Sequence, residues 1–536
     1  MPDSMSIDVD QQQQHRQSQR DPAQPSYVLR GHTAHIHSVQ IVRRNTCLLT
    51  GDADGWLVCW TLDTKRPLAV WKAHDAAILG TAEWGPDKII THGRDNALRI
   101  WQLNGPPASY STVLPVDSAD AHRPKPWLLH SLPVNTLNFC AFAVCYQNSH
   151  AHLQIPRSVS PHPPTSSSET IYIAVPGRDD KKAEVYQFPD EKLICVVPRV
   201  EASETGMVMT LKLTHHRPSN NILVIAGYEG GFTAVHVVPR PTTGKRKLNL
   251  DVARTIYLSQ PHTQPVLSLD ALPDGSAYFT SSADAVIAAH RVPELPLDTL
   301  VSDDGTEESA TGVVHPQTTN GDDGSAAAEH AVMTNDEDSE ALATAKDIKP
   351  SSSASSRDSS PPALSFSKTR PPPAAPSNSS VPHASGLSTL LAAAPPQSIP
   401  TSASEIPAVV TVQAPYKISN TKHAGQQSLR VRSDGRLFIT GGWDSRVRIY
   451  STRTLKEMAV LKWHKEGVYA AGFGEIINGE DSENSVEQPV DGASESVVRR
   501  ETGLKKLQRQ REEVIRGKHW AVAGAKDGRV SLWEVF

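Results

Sequence analysis

Short runs of alternating apolar and polar residues recur along much of the chain, and Gly, Asp, Asn or Pro residues bound each run. Alternation with a period of two is the pattern of a β-strand with one buried face. Residues 30–62, RGHTAHIHSVQIVRRNTCLLTGDADGWLVCWTL, show this pattern most completely. Within them, Asp54-Gly55 lies between two apolar runs, and such a dipeptide favours a tight hairpin turn. The pattern therefore predicts an all-β chain built from hairpins.

The same unit recurs along the chain, with Asp54 and Asp95 41 residues apart. This interval is typical of the WD repeat, in which each copy forms one blade of about 40 to 45 residues. Seven copies predict a seven-bladed WD-repeat β-propeller with long disordered insertions. The copies begin with residues 30–62 and 69–103, continue through an interrupted third copy at 132–188, and end with 207–238, 262–292, 427–452 and 463–536.

Four residue types keep a fixed spacing in the first two copies. A His opens the copy, a Thr stands four residues before the turn Asp, and a Trp stands six residues after it. In WD repeats these side chains form a buried hydrogen-bond tetrad, which supplies each polar group with a partner. A generic hairpin is the alternative interpretation. The predicted tetrads are His32, Thr50, Asp54 and Trp60 in the first copy, and His74, Thr91, Asp95 and Trp101 in the second.

Later copies keep the spacing less completely. The fifth copy has His290 in place of the Trp, after His262, Thr280 and Asp284. The sixth copy places His423, Thr440, Asp444 and Tyr450 at the four positions, and the seventh keeps only Asp527 and Trp533. The short strand predicted at residues 27–29 precedes the first copy, so we expect it to complete the last blade and close the ring.

Composition divides the chain into four parts. We expect residues 1–26 to form a disordered leader, residues 27–294 to hold blades 1 to 5 with a loop insertion at about 147–168, and residues 415–536 to hold blades 6 and 7 with a charged insertion at about 475–518. Residues 295–414 are acidic and then rich in Ser and Pro, so they bury too little apolar area to offset the entropy of ordering. Ser360, which precedes a Pro there, is a candidate phosphorylation site.

Charge and cysteine content give little sign of a nucleic-acid or membrane partner. Residues 301–350 hold 12 acidic residues and two Lys, so the rest of the chain carries about +5 of the overall net charge of −5. This mild excess is typical of a solvated surface. Five Cys without a CxxC pair fit a reducing compartment. No apolar run approaches the length of a membrane span, and the first residues lack a signal-peptide core, so we expect a soluble intracellular protein.

Sequence motifs for catalysis are absent: the chain has no GxSxG, no GxxxxGK[ST] and no GxGxxG after a strand. The HTAHIH run of residues 32–37 resembles a metal site, but His32 is already assigned to the first tetrad and no suitable Cys or carboxylate spacing accompanies it. GDADG resembles the start of a calcium loop without its later ligands. We therefore expect no enzymatic activity, no cofactor and no metal.

The residue before each turn Asp, or its equivalent, is the candidate for partner binding, because propellers commonly bind through the face on which these turns open. These residues are Arg94, Tyr228, Trp443 and Lys526. Trp, Tyr and Arg are enriched in interface hot spots; the alternative for Trp443 is packing on a neighbouring blade. The basic residues 497–516 predict a helix, either solvated or used in partner binding or nuclear import.

The chain resembles the fungal ASTRA-associated protein 1 family. The resemblance rests on RGHTAHIHSVQIV, LLTGDADGWLVCWTL, WKAHDAAILGTAEWG, IITHGRDNALRIWQL, PWLLHSLPVNTLNFCAFA and AVAGAKDGRVSLWEVF. It implies a nuclear subunit of the ASTRA complex, linked to chromatin remodelling and to maturation of phosphatidylinositol 3-kinase-related kinases. Its implied partners are ASTRA subunits and chaperone-type factors for those kinases, and the family motif carries no catalytic residues to transfer.

We therefore expect a non-catalytic protein-protein interaction scaffold. One alternative is a substrate receptor of a ubiquitin ligase, which requires an exposed docking motif on a pair of blades. Another is a propeller enzyme, which requires a polar or metal-binding central channel. The identity of co-purifying proteins discriminates between these three functions.

Overall fold

The computed structural model describes residues 23–117, 123–136, 139–148, 170–239, 251–295, 410–477 and 503–535. These residues form seven separate sheets arranged as a β-propeller, so the predicted fold class is confirmed. Most of the expected leader, most of the three expected insertions and Ser360 lie outside the described residues.

The first two sheets follow the chain without long crossovers. The strand β1 spans Tyr27–Arg30. Blade 1 consists of β2 (Ile36–Val42), β3 (Cys47–Asp52), β4 (Trp56–Thr61) and β5 (Pro67–Lys72). Blade 2 consists of β6 (Ile78–Trp84), β7 (Lys88–Gly93), β8 (Ala97–Gln102) and β9 (Trp127–Pro133).

Blades 3 and 4 have five strands each. Blade 3 consists of β10 (Ala143–Tyr146), β11 (Ile171–Pro176), β12 (Ala183–Phe188), β13 (Lys192–Val197) and β17 (Asp251–Val252). Blade 4 consists of β14 (Val208–His216), β15 (Asn221–Tyr228), β16 (Thr233–Val237), β18 (Arg254–Ser259) and β22 (Val412–Gln413). The fifth strand pairs parallel with the outer strand in both blades. Strand β22 therefore extends the ordered chain into the end of the segment 295–414.

The last three sheets complete the ring. Blade 5 consists of β19 (Val266–Ala271), β20 (Ala277–Ser282), β21 (Val286–Arg291) and β23 (Lys417–Asn420). Blade 6 consists of β24 (Gln426–Val431), β25 (Leu437–Gly442), β26 (Arg446–Ser451) and β27 (Glu457–Lys462). Blade 7 consists of β28 (Val468–Phe473), β29 (Trp520–Ala525), β30 (Arg529–Glu534) and β1.

Strand β1 supplies the outer strand of blade 7, so the predicted ring closure is confirmed. It pairs antiparallel with β30, from Tyr27 opposite Leu532 to Arg30 opposite Arg529. Leu29 is 3% exposed and belongs to a cluster that includes Trp60 of blade 1 and Trp520 of blade 7. The closing strand therefore ties blade 7 to blade 1 by side-chain packing as well as by backbone hydrogen bonds.

In four of the seven blades, a glycine on the second strand contacts the inner strand of the next blade. At this position a side chain would collide with the first residue of the next blade's inner strand, and only a glycine allows so close an approach. The four pairs are Gly51 with Ile78, Gly227 with Val266, Gly441 with Val468, and Gly524 with Ile36 of blade 1. The inner strands thus rest directly on the backbone of the preceding blade.

Blade 2 departs from this rule, because His92 occupies the glycine position. The imidazole is fully buried and contacts Phe142 edge-to-face, with ring centroids 6.2 Å apart. Neither ring nitrogen has a hydrogen-bond partner among the residues that the structure describes. Burial lowers the pKa of His92 to about 3, with smaller effects of His74 and Asp95, so the ring is neutral in the folded protein.

The charged insertion in blade 7 ends in the helix α1 (Gly503–Arg516). The predicted helix is present, its described side chains are mostly exposed, and Ile515 packs against the cluster shared by blades 7 and 1. The Asn45 side chain anchors both flanks of the insertion: it donates to the carbonyls of Glu475 and Arg516 at 2.7 and 3.0 Å, and accepts the Glu475 amide at 2.8 Å. Both ends of the insertion are therefore hydrogen-bonded to blade 1.

We predict that Leu29→Ala lowers the free energy of unfolding by about 2 to 5 kcal/mol, because it removes buried methyl groups from the closing strand. Tyr27 lies on the same strand but is 45% exposed, so Tyr27→Ala is the matched control, with an expected loss below about 1 kcal/mol. Urea unfolding followed by tryptophan fluorescence measures both. Equal losses would show that β1 contributes no more than a surface strand.

We predict that His92→Gln weakens the acid sensitivity of stability. The unfolded chain binds a proton below the ordinary histidine pKa of 6.5, whereas folded His92 binds it only near 3, so the free energy of unfolding falls as pH falls through that window. The variant should remove up to about 1.4 kcal/mol per pH unit of this dependence. Urea unfolding between about pH 7 and about pH 4.5 tests it, since carboxylates with lowered pKa act mainly below that range. An unchanged dependence on pH would contradict the prediction.

Candidate interaction surface

The second blade contains the tetrad with the predicted membership. His74 Nδ1 lies 2.8 Å from Asp95 Oδ1, and His74 Nε2 lies 2.8 Å from the Thr91 hydroxyl. Trp101 Nε1 donates to the same hydroxyl at 2.9 Å. Burial by itself would raise the pKa of Asp95, but the charge and hydrogen bond of His74, the Asp75 amide and the Arg99 guanidinium outweigh it, so this pKa lies below its usual range. The network links the second and third strands to the loop that enters the blade.

In the first blade Asp52 takes the place predicted for Asp54, so that assignment is wrong. His32 Nδ1 lies 2.7 Å from Asp52 Oδ2, His32 Nε2 lies 2.8 Å from Thr50 Oγ1, and Trp60 Nε1 donates to Thr50 Oγ1 at 2.8 Å. Asp52 is fully buried, and its other oxygen accepts the amides of Asp54 and Trp56 at 3.0 Å. Asp54 itself is exposed in the turn.

The residue two positions after the Thr explains the difference between the two blades. In blade 2 this residue is Gly93, and a Cβ there would collide with the His74 ring and with Asp95. Asp95 therefore reaches back from the turn into the open space. In blade 1 the same position is Asp52, whose carboxylate already lies against the histidine. In each of these blades, one of the two positions supplies the carboxylate that bonds the histidine ring.

Blade 5 keeps the predicted tetrad members, whereas blade 7 uses a different hydroxyl. In blade 5, His262 bonds Thr280 at 2.8 Å and Asp284 at 3.2 Å, and His290 replaces the tryptophan. In blade 7 the hydroxyl comes from the third strand, because Ser531 lies 2.8 Å from His464 Nε2 and accepts Trp533 Nε1 at 2.9 Å. Asp527 Oδ2 stands 3.5 Å from His464 Nδ1.

Blade 6 has lost the predicted arrangement. The His423 side chain is 44% exposed, and its Nδ1 is 3.6 Å from Asp444. Gln426 replaces it inside the blade and accepts the Thr440 hydroxyl at 2.7 Å. Asp444 instead pairs with the buried Arg448, at 2.5 Å in the closest contact. The spacing in the sequence located this turn correctly, but Gln426 occupies the buried position predicted for His423.

In five blades, the first residue of the turn between the second and third strands makes the same backbone hydrogen bond. Its amide donates to a carbonyl in the loop that enters the same blade, at 2.9 to 3.0 Å in five blades. The five residues are Ala53, Arg94, Glu229, Trp443 and Lys526. Arg94, Trp443 and Lys526 therefore occupy the equivalent position in their blades. All three side chains are exposed in the described structure.

Tyr228 does not belong to this set, so its assignment as a partner-binding residue is wrong. It is the last residue of β15 and is fully buried. Its hydroxyl lies 3.4 Å from His236 Nε2, and burial raises its pKa. The turn of blade 4 begins one residue later than the sequence alignment assumed, because Glu229 makes the shared backbone bond. The exposed equivalent in blade 4 is Glu229.

Trp443 is the aromatic member of the candidate surface. The indole is 48% exposed, lies against Gly425, and donates from Nε1 to Gln427 Oε1 at 2.8 Å. These two contacts lie within its own blade 6. Tyr469 is the second residue of β28 in blade 7, the position that Gln427 has in β24. Its ring contacts His35 and His37 of blade 1 edge-to-face, with centroids 6.3 and 5.7 Å apart.

Arg94 marks a second exposed site on the same set of turns. Its guanidinium lies over the Phe139 ring, 3.7 Å from the centroid, and Phe139 is itself 57% exposed. A cation stacked on an exposed aromatic ring is pre-ordered without being hidden from a partner. Lys526 shares the turn position in blade 7 and leaves its ammonium exposed. We name Arg94, Trp443, Lys526, Gln427 and Tyr469 together the turn surface.

Within the described ranges, no group of three or more His, Cys, Asp or Glu residues is placed to hold a metal ion. No helix among the described residues is long and apolar enough to cross a membrane.

Comparison with known proteins is consistent across the chain. The family model for ASTRA-associated protein 1 matches residues 25–533. ASTRA-associated protein 1 of Pyricularia oryzae is 38% identical over 519 residues, covering 96% of this chain and 98% of that protein. The protein of the same name from Aspergillus niger is 34% identical over 546 residues, covering 97% and 99%. That from Schizosaccharomyces pombe is 24% identical over 465 residues, covering 84% and 93%.

We predict that Asp52→Asn lowers the free energy of unfolding by about 2 to 3 kcal/mol, because a buried charge-assisted hydrogen bond to His32 is lost. Asp54→Asn changes the same loop by the same chemistry but affects an exposed carboxylate, so its effect should stay within about 0.5 kcal/mol. Urea unfolding of the two variants measures the difference. A larger loss for Asp54→Asn would restore the assignment made from spacing alone.

Proposed function

The chain belongs to the ASTRA-associated protein 1 family, and from that premise we propose that it is a non-catalytic scaffold subunit of the ASTRA complex. The family name and the match over most of the chain support the assembly. We further propose that the protein acts in the nucleus, in chromatin remodelling and in maturation of phosphatidylinositol 3-kinase-related kinases. Its partners would then be other ASTRA subunits and chaperone-type factors for those kinases.

The half-exposed Trp443 is the observation that carries the scaffold proposal. The exposed part of the indole leaves apolar area in water. Contact with Gly425 and a hydrogen bond to Gln427 nevertheless fix the position of the ring. Large, pre-ordered aromatic side chains lose little entropy when they bind, and they are enriched in interface hot spots. Trp443 therefore fits the anchor of a protein interface, with Arg94 and Lys526 as charged contacts on other blades.

Four side chains that could act as nucleophiles or proton-transfer groups are in states that agree with a non-catalytic role. Burial raises the pKa of the Cys145 thiol to about 12 and that of Cys140 further, which disfavours the nucleophilic thiolate. Burial likewise lowers the pKa of His236 and of His290 to about 3, so neither ring can exchange protons near neutral pH. These groups serve packing and hydrogen bonding within the blades.

Affinity purification of the full chain followed by mass spectrometry tests the proposal. We expect recovery of ASTRA subunits and kinase-maturation factors. Recovery of ubiquitin-ligase subunits in their place would favour the substrate-receptor alternative and overturn the proposed assembly. Fluorescence microscopy of the tagged chain tests nuclear residence separately, and exclusion from the nucleus would contradict that part.

We predict that Trp443→Ala reduces recovery of the co-purifying subunits at least about fivefold, since truncation of a hot-spot aromatic residue costs upwards of about 1 kcal/mol in binding. The loss in the free energy of unfolding should stay below about 1 kcal/mol, because half of the ring is already in water. Trp127→Ala is the matched control: Trp127 is 73% exposed on the outer strand of blade 2, away from the turn surface. A large loss of stability in Trp443→Ala, or equal recovery with both variants, would show that Trp443 is structural.

A further inference from the structure

A groove of about 590 Å³ runs between blades 5 and 6. One wall is β23, the outermost strand of blade 5, and the other is the turn that leads from β26 to β27 in blade 6. The residues that carry the inference are Lys417, Ile418, Lys422 and Lys456. This groove differs from the turn surface, because an outer strand rather than the second-to-third-strand turns forms its wall.

Strand β23 is an edge strand. In the described part of the chain it pairs only with β21, so its other edge has no partner strand there. The Ile418 side chain is 52% exposed. Blades 3 and 4 show what such an edge accepts in this protein, because the short strands β17 and β22 each add in parallel to the outer strand there. Blade 5 has no such fifth strand among the residues described.

The charge of the groove is one-sided. Lys417, Lys422 and Lys456 line it, and none of the three forms an ion pair in the described structure. The single carboxylate of the lining, Glu457, already stands 3.4 Å from the Arg448 guanidinium of the same blade. Three lysines therefore line the groove, and its one lining carboxylate is already paired with Arg448.

A buried hydroxyl at the groove also lacks a partner. Tyr450 is 2% exposed and its Oη makes no hydrogen bond in the described structure. Its position is that of the tetrad tryptophan, whose N–H donates to the threonine hydroxyl in blades 1 and 2. In blade 6 the Thr440 hydroxyl donates to Gln426 instead. Tyr450 is enclosed in blade 6, so its hydroxyl records the altered tetrad and is not open to the groove.

We propose that this groove binds an extended, acidic peptide segment of a partner protein, which adds as a strand to β23 and places its carboxylates against the three lysines. Backbone hydrogen bonds to a sheet edge supply affinity for an extended chain, and alternating side chains supply specificity. Charge complementarity selects Asp and Glu over other residues. The proposal is independent of the turn surface, so loss of Trp443-dependent recovery and loss of groove binding can be scored separately.

The test uses the full chain and a fluorescein-labelled synthetic peptide of ten residues, alternating Glu and Val, in fluorescence anisotropy at about 50 mM salt, where charge contacts are weakly screened. Lys456→Glu should weaken binding of this peptide about fivefold or more, since one attractive contact becomes repulsive. Lys462→Glu is the matched control with the same change of net charge: Lys462 is also exposed in blade 6 but lies outside the groove. It should change affinity less than about twofold.

Two further peptides separate the parts of the proposal. A peptide of the same sequence with alternate backbone nitrogens methylated keeps its charge but loses strand donors, and it should bind at least about tenfold more weakly. A Lys-Val peptide should not bind. Equal affinity for the methylated peptide, or equal loss in Lys456→Glu and Lys462→Glu, would reduce the binding to general charge attraction and overturn the proposal. Circular dichroism of both variants confirms that the propeller remains folded.

Discussion

Strand β1 pairs with β30, and through this one ladder the beginning of the described chain holds its end. A propeller gains stability only when every blade has two neighbours, because each sheet buries its faces against the adjacent sheets. The cluster that joins Leu29 to Trp60 and Trp520 makes the closing strand part of the contact between blades 7 and 1. All surfaces of the ring depend on this closure, since their residues lie on different blades.

Within the ring, the contacts between blades and the contacts within them both vary from blade to blade. The glycine that receives the next inner strand recurs in four blades, whereas the hydrogen-bond tetrad changes its membership from blade to blade. A close backbone approach leaves no alternative to glycine, but a buried histidine can be satisfied by a carboxylate or hydroxyl from several positions. Blade 2 shows the limit of the rule, since His92 replaces the glycine and the next blade supplies Phe142 as its contact.

Blade 6 contributes to both functional proposals. Its turn carries the exposed Trp443, the turn after β26 supplies Lys456 to the groove, and the usual tetrad is lost. The same departure moves His423 toward water and brings Gln426 inward. A blade that has given up part of its internal network can use those positions for contacts with other molecules, whereas in blades 1 and 2 the same positions are occupied by the tetrad.

The sequence by itself determined the all-β class, the seven blades and the closing strand, because alternating apolar residues and Gly-Asp turns are local signals that recur with one period. It also identified the membership of the blade 2 tetrad. Only the tertiary structure showed that Asp52 rather than Asp54 bonds His32, and that the blade 4 turn begins at Glu229 and leaves Tyr228 buried. Residue spacing records which side chains are near a turn, but not which of two nearby carboxylates points inward or where a strand ends. Those outcomes depend on the space left by neighbours such as Gly93, and on the backbone bond that sets the first turn residue.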